Sequence, residues 1–273
     1  MDWVQALILG VVQGISEFLP ISSTAHVRVV PALLGWEDPG AAYTAVLQLG
    51  TLLAISIYFW KDLVDVFWGW VKGLRFQAHR STQAYRLGWS LVVGTVPIVV
   101  AGLLFQHWIE DEWRSLYVIV GALVGMGFVL LCAEGYSRKN RGMEEVGIRD
   151  GLIVGIWQAL ALVPGVSRSG STLSGALFLN FQRPVAARFS FLLSVPAILL
   201  SGFYEFIKYR EIFIRESLLP TIVGIVSAFV SGYIAIDFLL RYLRRRSTMV
   251  FIIYRWSLAL LLFILLRAGS LSP

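Results

Sequence analysis

Charge is what this chain has least of. Only 15% of its 273 residues are Asp, Glu, Lys or Arg, against 57% hydrophobic residues. A soluble domain carries about 25% charged residues and about 45–50% apolar ones. With a mean hydropathy of +0.73, the composition excludes an ordinary soluble domain and indicates an integral membrane protein. Cysteine is nearly absent as well. The single Cys132 cannot close an intrachain disulfide, and in its apolar run it reads as a small buried hydrophobe. With one Cys and three His, no zinc-type cluster can form, because such sites need several Cys or His at set spacings. A basic stripe away from membrane-flanking segments is also missing. The net charge of +6 therefore reads as positive loops on one side of a membrane, not as nucleic-acid binding. The start, Met1-Asp2-Trp3, has no basic n-region, so no removable signal peptide is expected.

Long apolar runs are what the chain has in quantity. A spanning helix needs about 20 mostly apolar residues. Six windows qualify, at about 41–60, 87–106, 115–134, 186–206, 218–240 and 249–268. Abundant Trp, Tyr and Phe fit aromatic belts at the two interfaces. Two further apolar regions, 3–34 and 151–181, are interrupted near their middle by Pro and polar residues. Each half of these is short for a crossing, so both are expected to be re-entrant helix pairs that enter and leave on one side. Irregular backbone at that depth is tolerated only where protein or a wet cavity surrounds it.

Lys and Arg orient the spans. Segments 61–86, 135–150 and 241–247 are basic and belong inside, whereas 107–114, with Glu110, Asp111 and Glu112 against Arg114, belongs outside. The mixed segment 207–217 then also lies outside. Each half of the chain would hold one re-entrant pair and three spans, an odd number that turns the second half over. The expected fold is therefore an all-α polytopic membrane protein with six transmembrane helices and two re-entrant hairpins. It forms a single membrane domain over 1–273, with one repeat over about 1–135 and an inverted one over about 150–273. Inverted repeats place a site at mid-bilayer between broken helices. Internal similarity is weak but present: Gly10-Val11-Val12-Gln13 precedes Pro20 and a Ser-rich turn, as Gly155-Ile156-Trp157-Gln158 precedes Pro164 and another.

The two breaks carry the chemistry. Ionisable groups in membrane segments are costly and mark functional sites. In the first break Gln13 and Glu17 share a helix face four residues apart, and Glu17 suits a general base, a metal ligand or an orienter of His26. Ser22, Ser23 and Thr24 open the second limb, as caps, as anion-binding groups, or as both. His26 follows Ser23 by three residues, a spacing that suits a nucleophile and its base. In the second break, Arg168 at the hairpin tip would meet either phosphate oxygens, which its planar fork matches, or Glu17 in a salt bridge. Ser167, Ser169, Ser171 and Thr172 surround it, and Gly165 and Gly170 permit close backbone approach. Gln48 is placed either at the site or in a helix–helix hydrogen bond. Arg255 and Asp237 read as snorkelling or paired residues near span ends, and His79 and His107 as surface residues.

These two motifs, Gln13-Gly-Ile-Ser-Glu17-Phe-Leu-Pro20-Ile-Ser-Ser23-Thr-Ala-His26 and Pro164-Gly-Val-Ser167-Arg168-Ser169-Gly170-Ser-Thr172, resemble those of the undecaprenyl-diphosphatase, or bacitracin-resistance, family. Ala25 stands where the family usually has Gly, and Gln13 where some members have Glu. The resemblance implies removal of the terminal phosphate of undecaprenyl diphosphate, which recycles the lipid carrier for wall polymers. It also implies a bacterial inner-membrane location, a site open to the external face, and help from a divalent cation, Mg2+ or Ca2+. By resemblance Glu17, Ser23, His26 and Arg168 carry over as core active-site positions, with Ser167 and Thr172 beside them; Gln13 and Glu17 are the expected metal donors. A homodimer stays open. Ser23, His26 or an activated water could attack phosphorus. Two rivals share features with this reading. A polyprenyl-phosphate flippase would have the same inverted repeat without needing Ser23 and His26. A member of the phosphatidic acid phosphatase superfamily would need a second His with an Asp partner, a context that neither His79 nor His107 has.

Overall fold

In the computed structural model, residues 1–38, 40–110, 113, 115–215 and 218–271 are described. Asp111, Glu112, Arg114 and Glu216, charges of the segments expected on the outer side, lie outside them. Among the described residues the regular structure is helical, apart from an isolated bridge between Arg141 and Phe181. Five helices are long and apolar enough to span: α5 (Gln83–Leu104), α7 (Leu116–Tyr136), α10 (Arg183–Arg215), α11 (Leu218–Leu243) and α12 (Met249–Arg267). α3 (Gly40–Tyr58) and α4 (Trp60–Arg75) pass the same test only together, and they are bent by 76° where they meet; counted as one, the pair brings the spans to six. The chain is an all-α polytopic membrane protein.

Two segments differ from the sequence expectation. The basic stretch after residue 60 is mostly helix α4, not a loop. Its exposed Phe67, Trp68 and Leu74, with Lys61, Lys72 and Arg75 alongside, give it the make-up of a helix lying in the interface. Helix α10 also runs on through much of 207–217. Cys132 on α7 is exposed, not buried. A spanning helix is apolar on its lipid face as well as on its protein face, so an apolar run alone does not say which way a residue points. His107 is exposed and His79 half-buried. Asp237 accepts from Tyr58 at 3.1 Å and pairs with Arg241 at 2.9 Å, as expected near a span end.

The two interrupted regions form short helix pairs. α1 (Trp3–Phe18) and α2 (Ser23–Leu34) are 16 and 12 residues long, and α8 (Ile148–Ala159) and α9 (Arg168–Phe178) are 12 and 11. At 1.5 Å per residue these reach about 24, 18, 18 and 17 Å, all short of a hydrocarbon core of about 30 Å. α1 packs along α11, and α8 along α5, so the first helix of each pair docks on a long helix from the other half of the chain. Small residues make both contacts close. A Cβ on Gly14 would lie 2.5 Å from Ala228 O, and one on Gly155 2.2 Å from Gly94 O. Without a hydrophobic drive between helices in lipid, such close backbone packing supplies much of the association.

The basic end is stapled by ion pairs. Glu134 at the end of α7 accepts from Arg183 Nε at 2.8 Å and Thr248 Oγ1 at 3.0 Å, joining α7 to the starts of α10 and α12. Arg141 grips Asp150 with two bonds of 2.9 Å and stacks on Phe181. Bidentate pairs of this kind fix direction as well as distance.

Candidate active site

Both breaks end on a serine in an unusual backbone conformation. Leu19 is extended, as a residue before proline tends to be, and this stops α1. Ser22 then takes φ 78° and ψ 99°, and its Oγ accepts from Ala25 N at 3.4 Å. Ser167 takes φ 76° and ψ 119°, and its Oγ accepts from Gly170 N at 3.2 Å. Positive φ at a residue with a side chain costs on the order of 1–3 kcal/mol and gathers at functional sites. Here the same cost is borne twice, at the first turns of α2 and α9, and both serines are buried. The two helix starts present free N–H groups and the positive ends of their dipoles.

The tips interlock. Ser169 Oγ donates to Leu19 O at 2.9 Å, and Gly165 N donates to Thr24 Oγ1 at 3.5 Å. Hydroxyl pairs Ser22–Thr24 at 3.2 Å and Ser167–Ser169 at 3.1 Å tighten each turn. A Cβ on Gly170 would touch Ser167 at 3.3 Å and Pro20 at 3.6 Å, so the bare glycine keeps the tips close. Thr172 is buried behind this layer, donating to Arg168 O at 2.7 Å and meeting Ser190 of α10.

Glu17 is the hub. Ser23 Oγ donates to its Oε2 at 2.6 Å, and Gln13 Nε2 donates to the same oxygen at 3.0 Å. Arg168 Nη2 donates to Oε1 from the opposite hairpin. The Glu17 side chain is 4% exposed and that of Arg168 16%. Both readings of Arg168 thus meet in one geometry: it pairs with Glu17, and among the described residues its guanidinium has no second partner, which leaves further N–H groups for an anion. Thr24 is exposed and Ser23 half-buried, so the cluster opens on that side.

His26 sits differently from the sequence expectation. Its Nδ1 lies 2.6 Å from Ser22 O and its Nε2 2.7 Å from Tyr254 OH. A carbonyl can only accept, which puts the proton on Nδ1 and leaves Nε2 accepting from the tyrosine. No hydrogen bond joins His26 to Ser23 among the described residues. The spacing of three residues gives a shared face, but the carbonyl four residues back, on the first turn, is nearer to the ring. Gln48 is half-buried and its side chain makes no bond to the cluster among the described residues; its carbonyl accepts from Thr51 at 2.9 Å.

Arg255 needs the largest correction. It is completely buried instead of snorkelling, and it donates to Pro20 O at 3.2 Å and Gly165 O at 2.8 Å, one carbonyl from each turn. An arginine inside an apolar run is the available signal, and its nearness to the start of the span obscures it.

For a metal, the donor set is small. Among the described residues no group of three His, Cys, Asp or Glu side chains converges. A hard cation that keeps waters and takes substrate phosphate oxygens needs only one or two protein carboxylates. Glu17 supplies one, and the buried Oε1 of Gln13, whose Nε2 bonds Glu17, is a free acceptor without a hydrogen-bond partner among the described residues. The residues fit a cation shared with a phosphate ligand.

Residues 6–261 match the family described as bacitracin resistance protein BacA. The chain belongs to that family. It is 49% identical over 273 residues to an undecaprenyl-diphosphatase of Myxococcus xanthus, covering 100% of this chain and 92% of the relative. A Gloeobacter violaceus undecaprenyl-diphosphatase is 50% identical over 98% of this chain and 93% of its own. One from Chlorobium phaeovibrioides is 45% identical over 100% of both. Membership of the BacA family thus rests on nearly the whole chain, with both turns inside the matched region.

Proposed function

We propose that this chain hydrolyses undecaprenyl diphosphate to undecaprenyl phosphate and inorganic phosphate, at the place where α2 and α9 begin. It is a polyprenyl diphosphate phosphatase, a membrane hydrolase of the lipid carrier cycle in wall synthesis, and its activity accounts for bacitracin resistance. The observation that carries the site assignment is the Ser23 hydroxyl held 2.6 Å from Glu17 Oε2 while Arg168 holds the other carboxylate oxygen. That is a nucleophile, its base and a cation on one carboxylate.

The diphosphate lies across the two helix starts, and the prenyl chain runs between spans. Arg168 and the free N–H groups of α2 and α9 take up charge on the transferring phosphoryl group, which is where catalysis of this reaction gains most. Ser23 Oγ bonds to the terminal phosphorus as Glu17 takes its proton. The bridging P–O bond breaks and its electron pair leaves on undecaprenyl phosphate. Water then displaces Ser23 from phosphorus, its protons leaving on the released inorganic phosphate, and Glu17 returns the proton it holds to the serine oxygen. His26, with both ring nitrogens engaged, orients the first turn of α2 instead of attacking. A divalent cation held by Glu17 and Gln13 Oε1 would neutralise diphosphate charge.

The site opens to the external face of the bacterial plasma membrane, away from the basic segments. The halves 1–135 and 150–273 are inverted repeats. In support, Gln13 precedes Ser22 and Gln158 precedes Ser167 by the same nine residues. The exchanged packing of α1 on α11 and α8 on α5 also supports the repeat. Phosphate release from detergent-purified protein, with prenyl diphosphates of several lengths and with or without chelator, tests the function. Labelled substrate should leave a trapped phosphoryl group on Ser23. A group mapped to His26 would overturn the assignment of the nucleophile, and turnover unaffected by chelator would remove the cation.

A further inference from the structure

Three consecutive side chains of α12 bond the first turn of α2, the two breaks and α7. Tyr254 OH donates to His26 Nε2 at 2.7 Å, and Trp256 Nε1 donates to Val124 O at 3.2 Å. Between them Arg255 spends its donors on four carbonyls: Leu123 O, Ala122 O and Pro20 O, each at 3.2 Å, and Gly165 O at 2.8 Å. No carboxylate pairs with it among the described residues. Pro20 and Gly165 sit two residues before Ser22 and Ser167, so each turn carbonyl bound here is directly upstream of a strained serine.

A buried charge is expensive in a membrane protein, and an apolar side chain of similar volume is often as stable. The arginine is therefore best explained by what its geometry does. The guanidinium is rigid and planar, with five N–H donors in set directions. Nη1 holds the first turn, Nη2 the second, and Nε and Nη2 anchor the plane to α7. The spacing of the turns is thereby tied to a rigid group, and with it the spacing of Arg168 from Ser23 and Glu17. We propose that Arg255 and Tyr254 are the positioning residues of the phosphatase site: Arg255 sets the distance between the two turns, and Tyr254 sets the His26 ring that rests on the first. The proposal rests on the reading of Glu17, Ser23 and Arg168 as the reacting groups.

Lysine offers a point charge and cannot hold four carbonyls in one plane. Arg255→Lys should lower kcat by about 100-fold, the scale of a misplacement near 1 Å, with KM for prenyl diphosphate within about threefold. Inhibition by vanadate, which imitates phosphorus under attack, should weaken in parallel with kcat, while inhibition by inorganic phosphate should not. A purely structural arginine would lower the melting temperature and yield and leave kcat and vanadate inhibition of the folded fraction unchanged; that result overturns the proposal. Should Arg255→Lys not accumulate as folded protein, Tyr254→Phe keeps the arginine and its four bonds. It should lower kcat about tenfold at constant KM, and unchanged kcat there overturns the role of this face. Ser23→Ala and Arg168→Ala run beside these variants: turnover retained in them refutes the site, whereas turnover lost in them and kept in Arg255→Lys refutes only the positioning.

Discussion

The turn before α2 and the turn before α9 put a serine at the same point with nearly the same backbone, Ser22 at φ 78° and Ser167 at φ 76°. Each caps its helix through its own Oγ. The residues around the serine differ. In the first turn Ser23 comes next, with Glu17 upstream and His26 downstream; in the second it is Arg168. On the mechanism proposed above, one turn would bring the groups that move a proton and attack, and the other the positive charge that the attack needs. A doubled scaffold can share strain equally and still divide the chemistry, because the backbone sets where a side chain stands and not what it is.

The largest effect should come from crossing that division. Arg168→Ala removes the cation from the second turn, and phosphate release should fall by at least about 1,000-fold, the scale on which an arginine acts in phosphoryl transfer. It also leaves Glu17 buried without its ion pair, so a lower melting temperature is expected too. Arg168→Lys separates the two effects: it keeps the charge and loses the fork, and should restore stability more than turnover. Near-normal turnover in Arg168→Ala would end the division of labour between the turns.

Within the first turn, Ser23→Ala and Glu17→Gln should each reduce kcat by about 100- to 10,000-fold, the range for loss of a positioned base and the group it activates. As a unit they should not add: the double variant should be about as slow as the worse single one. Rates for the four proteins in a cycle measure this. Full additivity would mean that Glu17 serves Arg168 alone and that Ser23 works without it.

Much of this is legible in the sequence. The spans, the two breaks and the cluster of Glu17, Ser23 and Arg168 come from length, apolarity and the cost of polar groups at depth. The pairing inside the cluster is less so. Spacing along a helix gives Ser23 and His26 a common face but cannot show that the Ser22 carbonyl, left free at a helix start, takes the imidazole. The role of Arg255 escapes a sequence reading because 235 residues separate it from Pro20, and no local pattern reports such a contact. The exposure of Cys132 escapes it because a lipid face and a core face have the same composition.

Smaller effects test whether the two turns are equivalent as scaffolds. Ser22→Ala and Ser167→Ala each remove a helix cap, at about 1 kcal/mol, while keeping the same awkward φ. The two melting temperatures should fall by matching amounts. Activity should fall more for Ser22→Ala, since the first turn carries the proposed nucleophile, Ser23. Unequal losses of stability would show that the matched dihedrals do not reflect matched loads.

The smallest effect isolates a buried paired position where the halves differ in contacts. Gln13 and Gln158 stand nine residues before their serines, and both are completely buried. Gln13 donates to Glu17, but four residues after Gln158 the chain has Leu162. Gln158 is left with Nε2 and Oε1 both unpartnered among the described residues. A buried polar group without a partner costs about 1–3 kcal/mol. Gln158→Leu should therefore hold or raise the melting temperature and leave turnover unchanged, whereas Gln13→Leu should lower turnover by loosening Glu17. If Gln158→Leu lost activity as Gln13→Leu does, the second hairpin would be contributing a polar group to the reaction, and the chemistry would be shared between the turns instead of divided.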